Sequence, residues 1–108
     1  MFDLFASPAD RILSRIPVHM HHEFWKLKAV IEADENFHDL VKPDLAGYVL
    51  SVWACRSAQM GKMQLTKKVY DAIGSIGARC KNRHSVYWDR FDSVANALAR
   101  RGLIPNSS

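Results

Sequence analysis

The chain has 108 residues, 48% of them hydrophobic, 10% aromatic and 24% charged, which suits one core rather than two and excludes a disordered or low-complexity protein. The longest uncharged run, ending at Cys55, falls far short of the about 20 apolar residues a membrane-crossing helix needs, so no membrane partner is expected. The formal charge of +4 is divided unevenly: through Met60 six Lys and Arg stand against eight Asp and Glu, and from Gly61 onward nine stand against three.

Asp3 occupies a position where a secretory signal would carry Lys or Arg, so a cytoplasmic protein is expected, with residues 1–6 frayed. Ser7, Pro8 and Asp10 then form a helix start: a capping hydroxyl, a proline suited to the first turn, and an acidic residue that completes a capping box. Ile12, Leu13 and Ile16 supply its apolar stripe, and Pro17 interrupts it. Over residues 18–33, Met20, Phe24, Leu27 and Ile31 recur at steps of three and four, which stacks them on one core-facing side.

Asp34, Glu35 and Asn36 read as a break, followed by a short helical piece carrying Phe37, Leu40 and Val41 that ends at Lys42 and Pro43. Pro43 and Asp44 are good first-turn residues for the next helix, whose stripe is Leu45, Tyr48, Val49, Val52 and Trp53; Gly61 is its left-handed stop. Leu65, Val69, Ala72, Ile73, Ile76 and Cys80 then follow the helical period closely. Gly74 and Gly77 inside that helix mark either a close crossing or a kink. Residues 82–84 read as a loop, with Ser85 capping a last helix that turns Tyr87, Phe91, Val94, Ala95 and Leu98 inward. Gly102 and Leu103 predict a Schellman ending folded back on Leu98, and residues 105–108 are expected to fray. No strand or repeat signal is present. The fold class is therefore all-α: a single domain built as an irregular bundle of about five short helices.

Catalytic signatures are missing. There is no glycine-rich phosphate loop, no Gly-x-Ser-x-Gly elbow and no His-Glu-x-x-His motif, and a non-enzymatic protein is expected. His19, His22 and Glu23 have a spacing that shares one helical face, but a structural metal site wants four firm ligands and only the isolated His38 and His84 remain. No metal or other cofactor is expected. Trp25 and Trp53 adjoin apolar stripes and belong to the core or its edge, whereas Trp88 lies one position off its stripe and is expected to be partly exposed. Cys55 and Cys80, at opposite ends of a helical hairpin, are placed about 15 to 20 Å apart and remain thiols. Cys80 shares the phase of Ile73 and Ile76, which makes it buried and inert despite Arg79, Lys81 and Arg83 around it.

Lys62, Lys67, Lys68, Arg79, Lys81, Arg83, His84, Arg90, Arg100 and Arg101 crowd the last two helices, opposed only by Asp71, Asp89 and Asp92. Cations interleaved with polar side chains are what a phosphate backbone requires. The candidate interface is Lys67, Lys68, Arg79, Lys81, Arg83, His84, Trp88 and Arg90. Its expected partner is nucleic acid; the alternative is an adaptor or inhibitor, of the kind a mobile genetic element encodes, that uses the same face and a Trp88 anchor on an acidic protein surface. A homodimer is compatible with either.

Overall fold

The computed structural model describes residues 7–37 and 39–106, and every regular element among them is helical. Helix α1, Pro8–Leu13, opens on the expected capping box: the Ser7 hydroxyl accepts from the Asp10 amide and the Asp10 carboxylate accepts from the Ser7 amide. A 3-10 turn at Val18–Met20 follows Pro17 and leads into α2, His21–Ala33, which buries Phe24, Leu27 and Ile31 behind Met20.

The piece expected after α2 is a single 3-10 turn, Glu35–Phe37, and Val41 lies outside it as the exposed residue that precedes α3, Lys42–Gln59. Lys42 begins a helix rather than ending one. Its ammonium donates to the Ile31 and Asp34 carbonyls at 3.3 and 2.8 Å, so it satisfies the end of α2 while the backbone enters α3 through Pro43.

Helix α3 is buried on more sides than its predicted stripe. Ala46, Leu50 and Ala54 join Leu45, Val49 and Trp53 out of solvent, because α1, α2, α4 and α5 all pack around it. A helix apolar on several faces is the central one. It ends in a Schellman motif at Gly61, φ 75°, with Gly61 and Lys62 amides bonded to the Ala58 and Ser57 carbonyls.

Helix α4, Lys67–Arg83, begins later than the apolar period suggests, because the Thr66 hydroxyl caps the Val69 amide and leaves Leu65 before the helix. It runs unbroken through both glycines. A Cβ at Gly77 would stand 1.8 Å from Ser51 Oγ, whereas one at Gly74 would meet nothing within 4 Å. The glycine signal thus marks a close crossing of α3, at Gly77 alone.

The expected loop at 82–84 is mostly helix. Asn82 and Arg83 complete α4, the chain turns at His84, and a 3-10 turn, Ser85–Tyr87, leads into α5, Trp88–Arg100. Ser85 does not cap α5; it starts the 3-10 turn, and Tyr87 precedes the helix without a side-chain cap. Phe91, Val94, Ala95 and Leu98 are buried as predicted. The Schellman ending is present, with Gly102 at φ 75° and Leu103 bonded to the Leu98 carbonyl at 2.9 Å. Fraying does not begin at residue 105: Ile104 is buried and the Pro105 carbonyl accepts from Arg56 at 3.1 Å. Residues 1–6, 107 and 108, also expected to fray, lie outside the described residues.

Trp53 is fully buried against the edge of Phe24, while Trp25, expected at the core or its edge, is 46% exposed. No helix among the described residues is long and apolar enough to cross a membrane. The crossing at Gly77 sets a test: Gly77→Ala should cost about 1–3 kcal/mol through overpacking against Ser51, while Gly74→Ala should be neutral or stabilising by up to about 1 kcal/mol. Urea unfolding of both variants reads the difference.

Candidate anion-binding face

Most of the basic residues singled out by sequence turn out to face carboxylates of the same chain. Lys81 leaves α4 toward α5, where its Nζ lies 2.9 and 3.1 Å from the Asp92 oxygens, 4.2 Å from the centre of the Trp88 ring and 5.4 Å from that of Tyr48. The Tyr48 hydroxyl donates to the same carboxylate. Arg83 Nη1 donates to both oxygens of Asp44 at 3.1 and 3.3 Å, and His84 Nε2 lies within hydrogen-bonding distance of Asp44 Oδ2. Asp44 itself is buried near the start of α3. Arg90 makes a two-pronged contact with Asp39 at 2.6 and 2.8 Å.

These contacts separate structural cations from available ones. A carboxylate buried without partners would be costly, so Asp44 needs Arg83 and His84. Asp39 and Arg90 are both about half exposed, and their pair adds little to stability. Lys67 holds Asp71 across one turn of α4 at 3.0 Å in an exposed pair of the same modest kind. Among the described residues Lys68 and Arg79 have no ion-pair partner, and Arg83 keeps 59% of its side chain exposed beyond the Asp44 contact.

Lys68, Arg79 and Arg83 share one face. Eleven residues of α-helix return to within about 20° of the starting direction, so Lys68 and Arg79 project from the same line of α4, with Arg83 one turn further on. The exposed residues between them are small or polar, notably Ser75, Ala78 and Asn82. The first turn of α4 carries Lys67 and Lys68 and no carboxylate, the reverse of what the helix dipole favours.

At the turn from α4 to α5, Val86 is 89% exposed and Trp88 43%. Trp88 is thus partly exposed as expected, with the Lys81 ammonium against one ring face. A groove of about 640 Å³ between the end of α3 and the start of α4 is lined by Ala58, Met63, Leu65 and Tyr70, with Gln59 Nε2 donating to the Tyr70 hydroxyl at 2.6 Å; no sequence motif pointed to it. No three His, Cys, Asp or Glu side chains among the described residues are placed to hold a metal ion, and His38 lies outside those residues.

The titrating groups follow their surroundings. Burial, aided by the negative charge of Asp44, pushes the Cys80 thiol up to about 11, which makes thiolate scarce near neutral pH. Cys55 is also raised, first by burial and then by Asp71. Tyr48 is raised, chiefly by burial and by donating to Asp92. For Asp92 burial alone would raise the carboxyl, but hydrogen bonds from Tyr48 and Lys81 outweigh it and the group sits below its ordinary range. Asp92 stands out in the sequence as an opposing charge and Asp44 as a first-turn residue, but no sequence signal pairs Asp39, Asp44 or Asp92 with its cation. The one trace of the pairing is the charge divide itself: two of the three come from the acidic first half, and all three pair with cations of the basic second half.

Comparison of the chain with protein-family models, curated proteins and solved structures finds no match.

Because Asp92 is depressed in the folded state, its contribution is present above the ordinary carboxyl value of about 4 and is lost as pH falls through the lower folded value. Urea midpoints measured from pH 5 down to pH 2 should therefore fall less steeply for Asp92→Asn than for the wild type. Equal slopes would show that the Tyr48 and Lys81 contacts do not hold the carboxylate.

Proposed function

We propose that the protein is a non-enzymatic, intracellular binding protein that engages the phosphate backbone of nucleic acid through the outer face of α4. The observation that carries this reading is the position of Lys68 and Arg79: both lie on one exposed helical line, and neither has an ion-pair partner among the described residues. Arg83 extends the line with the exposed part of its guanidinium. Lys81 and His84 are turned to Asp92 and Asp44, and Arg90 is taken up by Asp39 at the surface, so none of the three is counted among the cations that meet the ligand.

Three phosphate-contacting cations give a modest, salt-sensitive affinity, with log affinity falling against log salt at a slope of about −3. The double substitution Lys68→Glu with Arg79→Glu should abolish binding and leave the melting temperature unchanged. Arg83→Glu is the wrong probe, because it would also set a second carboxylate against buried Asp44. Fluorescence anisotropy at low salt decides the matter: no binding of the wild type to duplex or single-stranded nucleic acid would remove the reading.

One observation favours a second reading, an adaptor or inhibitor that docks on an acidic protein surface. Val86 and Trp88 are more exposed than side chains of their size usually are, and they adjoin the cations of the α4–α5 turn. A single stoichiometric protein that survives nuclease treatment in a pull-down, and is lost with Val86→Asp, would favour it.

A further inference from the structure

Resting on the nucleic-acid reading, we infer that α4 lies in the major groove of duplex DNA, with its small central residues against the groove floor. The groove is about 12 Å wide and about 8.5 Å deep and admits an α-helix. Entry at full depth requires a helix whose outward middle is narrow, and α4 has one: Ser75 and Ala78 are the exposed residues at the middle of its outer side, with Asp71 one turn before Ser75. Long side chains stand only toward the ends, Lys68 at one and Arg79, Asn82 and Arg83 at the other.

The length fits as well. From Lys68 to Arg83 the helix rises about 22 Å, more than the groove is wide, so the two ends reach the phosphate strands on either side. That assigns Lys68 and Arg83 to phosphates. Asn82, between Ser75 and the helix end, reaches the base edges, where asparagine pairs in a two-pronged manner with adenine, while Arg79 beside it keeps its phosphate. Opposing charge is small: the one carboxylate on this face is Asp71, and Lys67 holds it.

Other nucleic acids fit less well. Binding of single strands relies on exposed aromatic rings for base stacking. The exposed line of α4 carries no aromatic residue; Tyr70, at its edge, is hydrogen-bonded to Gln59, and the Trp88 ring on α5 already has the Lys81 ammonium against one face. The major groove of A-form RNA is too deep and narrow for side chains to read.

Two measurements test the inference. Ser75→Trp changes no charge and occupies an exposed position, so it preserves the electrostatic contacts while filling the narrow middle of the helix. It should weaken binding to a DNA duplex by about tenfold or more, with the wild-type circular dichroism spectrum and melting temperature retained. Independently of any variant, wild-type protein should bind a duplex whose cytosines are replaced by glucosylated hydroxymethylcytosine at least about tenfold more weakly, because the sugars fill the major groove and leave the phosphates unchanged. If both duplex affinities are unchanged while Lys68→Glu with Arg79→Glu abolishes binding, the groove assignment is overturned and the phosphate-binding reading stands. Tighter binding to single strands or to duplex RNA than to duplex DNA overturns it in the same way. Absence of binding to every nucleic acid overturns both.

Discussion

The close crossing of α3 and α4 is the constraint from which the rest of the molecule follows. Ser51 occupies the space a side chain at Gly77 would need, and one turn along, Gly47 leaves room for both Pro8 of α1 and the Cys80 thiol. Another turn along, Asp44 receives Arg83 and His84. The three steps run down α3 from Ser51 to Gly47 to Asp44 while they run up α4 from Gly77 to Cys80 to Arg83, the register of two antiparallel helices in direct contact. At such separation only small side chains fit between the axes, and the polar groups at the open end must find partners in each other. Tyr48, beside Gly47 on α3, extends the seam to α5 through Asp92 and Lys81.

That seam gives α4 two unlike sides. Its inner edge spends Lys81 and the neighbouring His84 on carboxylates at the borders with α3 and α5, Arg83 is divided between buried Asp44 and solvent, and the outer line keeps Lys68 and Arg79 for solvent. The uneven charge along the chain is thus in part spent inside the fold: the acidic first half supplies Asp39 and Asp44, and the basic second half supplies their partners Arg90, Arg83 and His84. What remains after this pairing is a shorter basic surface than the composition suggests, and a better defined one. On α4 it is one helical line, with Lys62, Arg100 and Arg101 exposed elsewhere on the surface.

Local signals in the sequence proved sufficient wherever the physics is local. The capping box of Ser7 and Asp10, the left-handed stops at Gly61 and Gly102, and the Met20, Phe24, Leu27 and Ile31 stripe each depend on residues within about three turns of one another. Thr66 is hidden as a cap because Leu65 continues the apolar period of α4 into the loop before it. Helix α3 looks one-sided in the sequence because Ala46 and Ala54 are too small to mark a face, although four neighbouring helices cover it. Asn82 and Arg83 looked like loop residues because polar side chains gather there, yet their polarity serves the Asp44 contact and the exposed end of α4. The partners of the candidate cations were illegible for a plain reason. Asp44 lies 39 residues from Arg83 and Asp39 lies 51 from Arg90, and no spacing rule spans such distances.

Arg79 and Arg83 put the division between structural and available cations in its sharpest form, since they are the same residue type one turn apart on one helix. Urea unfolding of the two alanine variants at neutral pH is the most direct test. Arg83→Ala, which strips a hydrogen-bonding partner from buried Asp44, should destabilise the protein by at least about 1 kcal/mol, and Arg79→Ala should stay within about 0.5 kcal/mol of the wild type. Equal effects of the two substitutions would contradict the division, because both arginines would then belong to one undifferentiated surface.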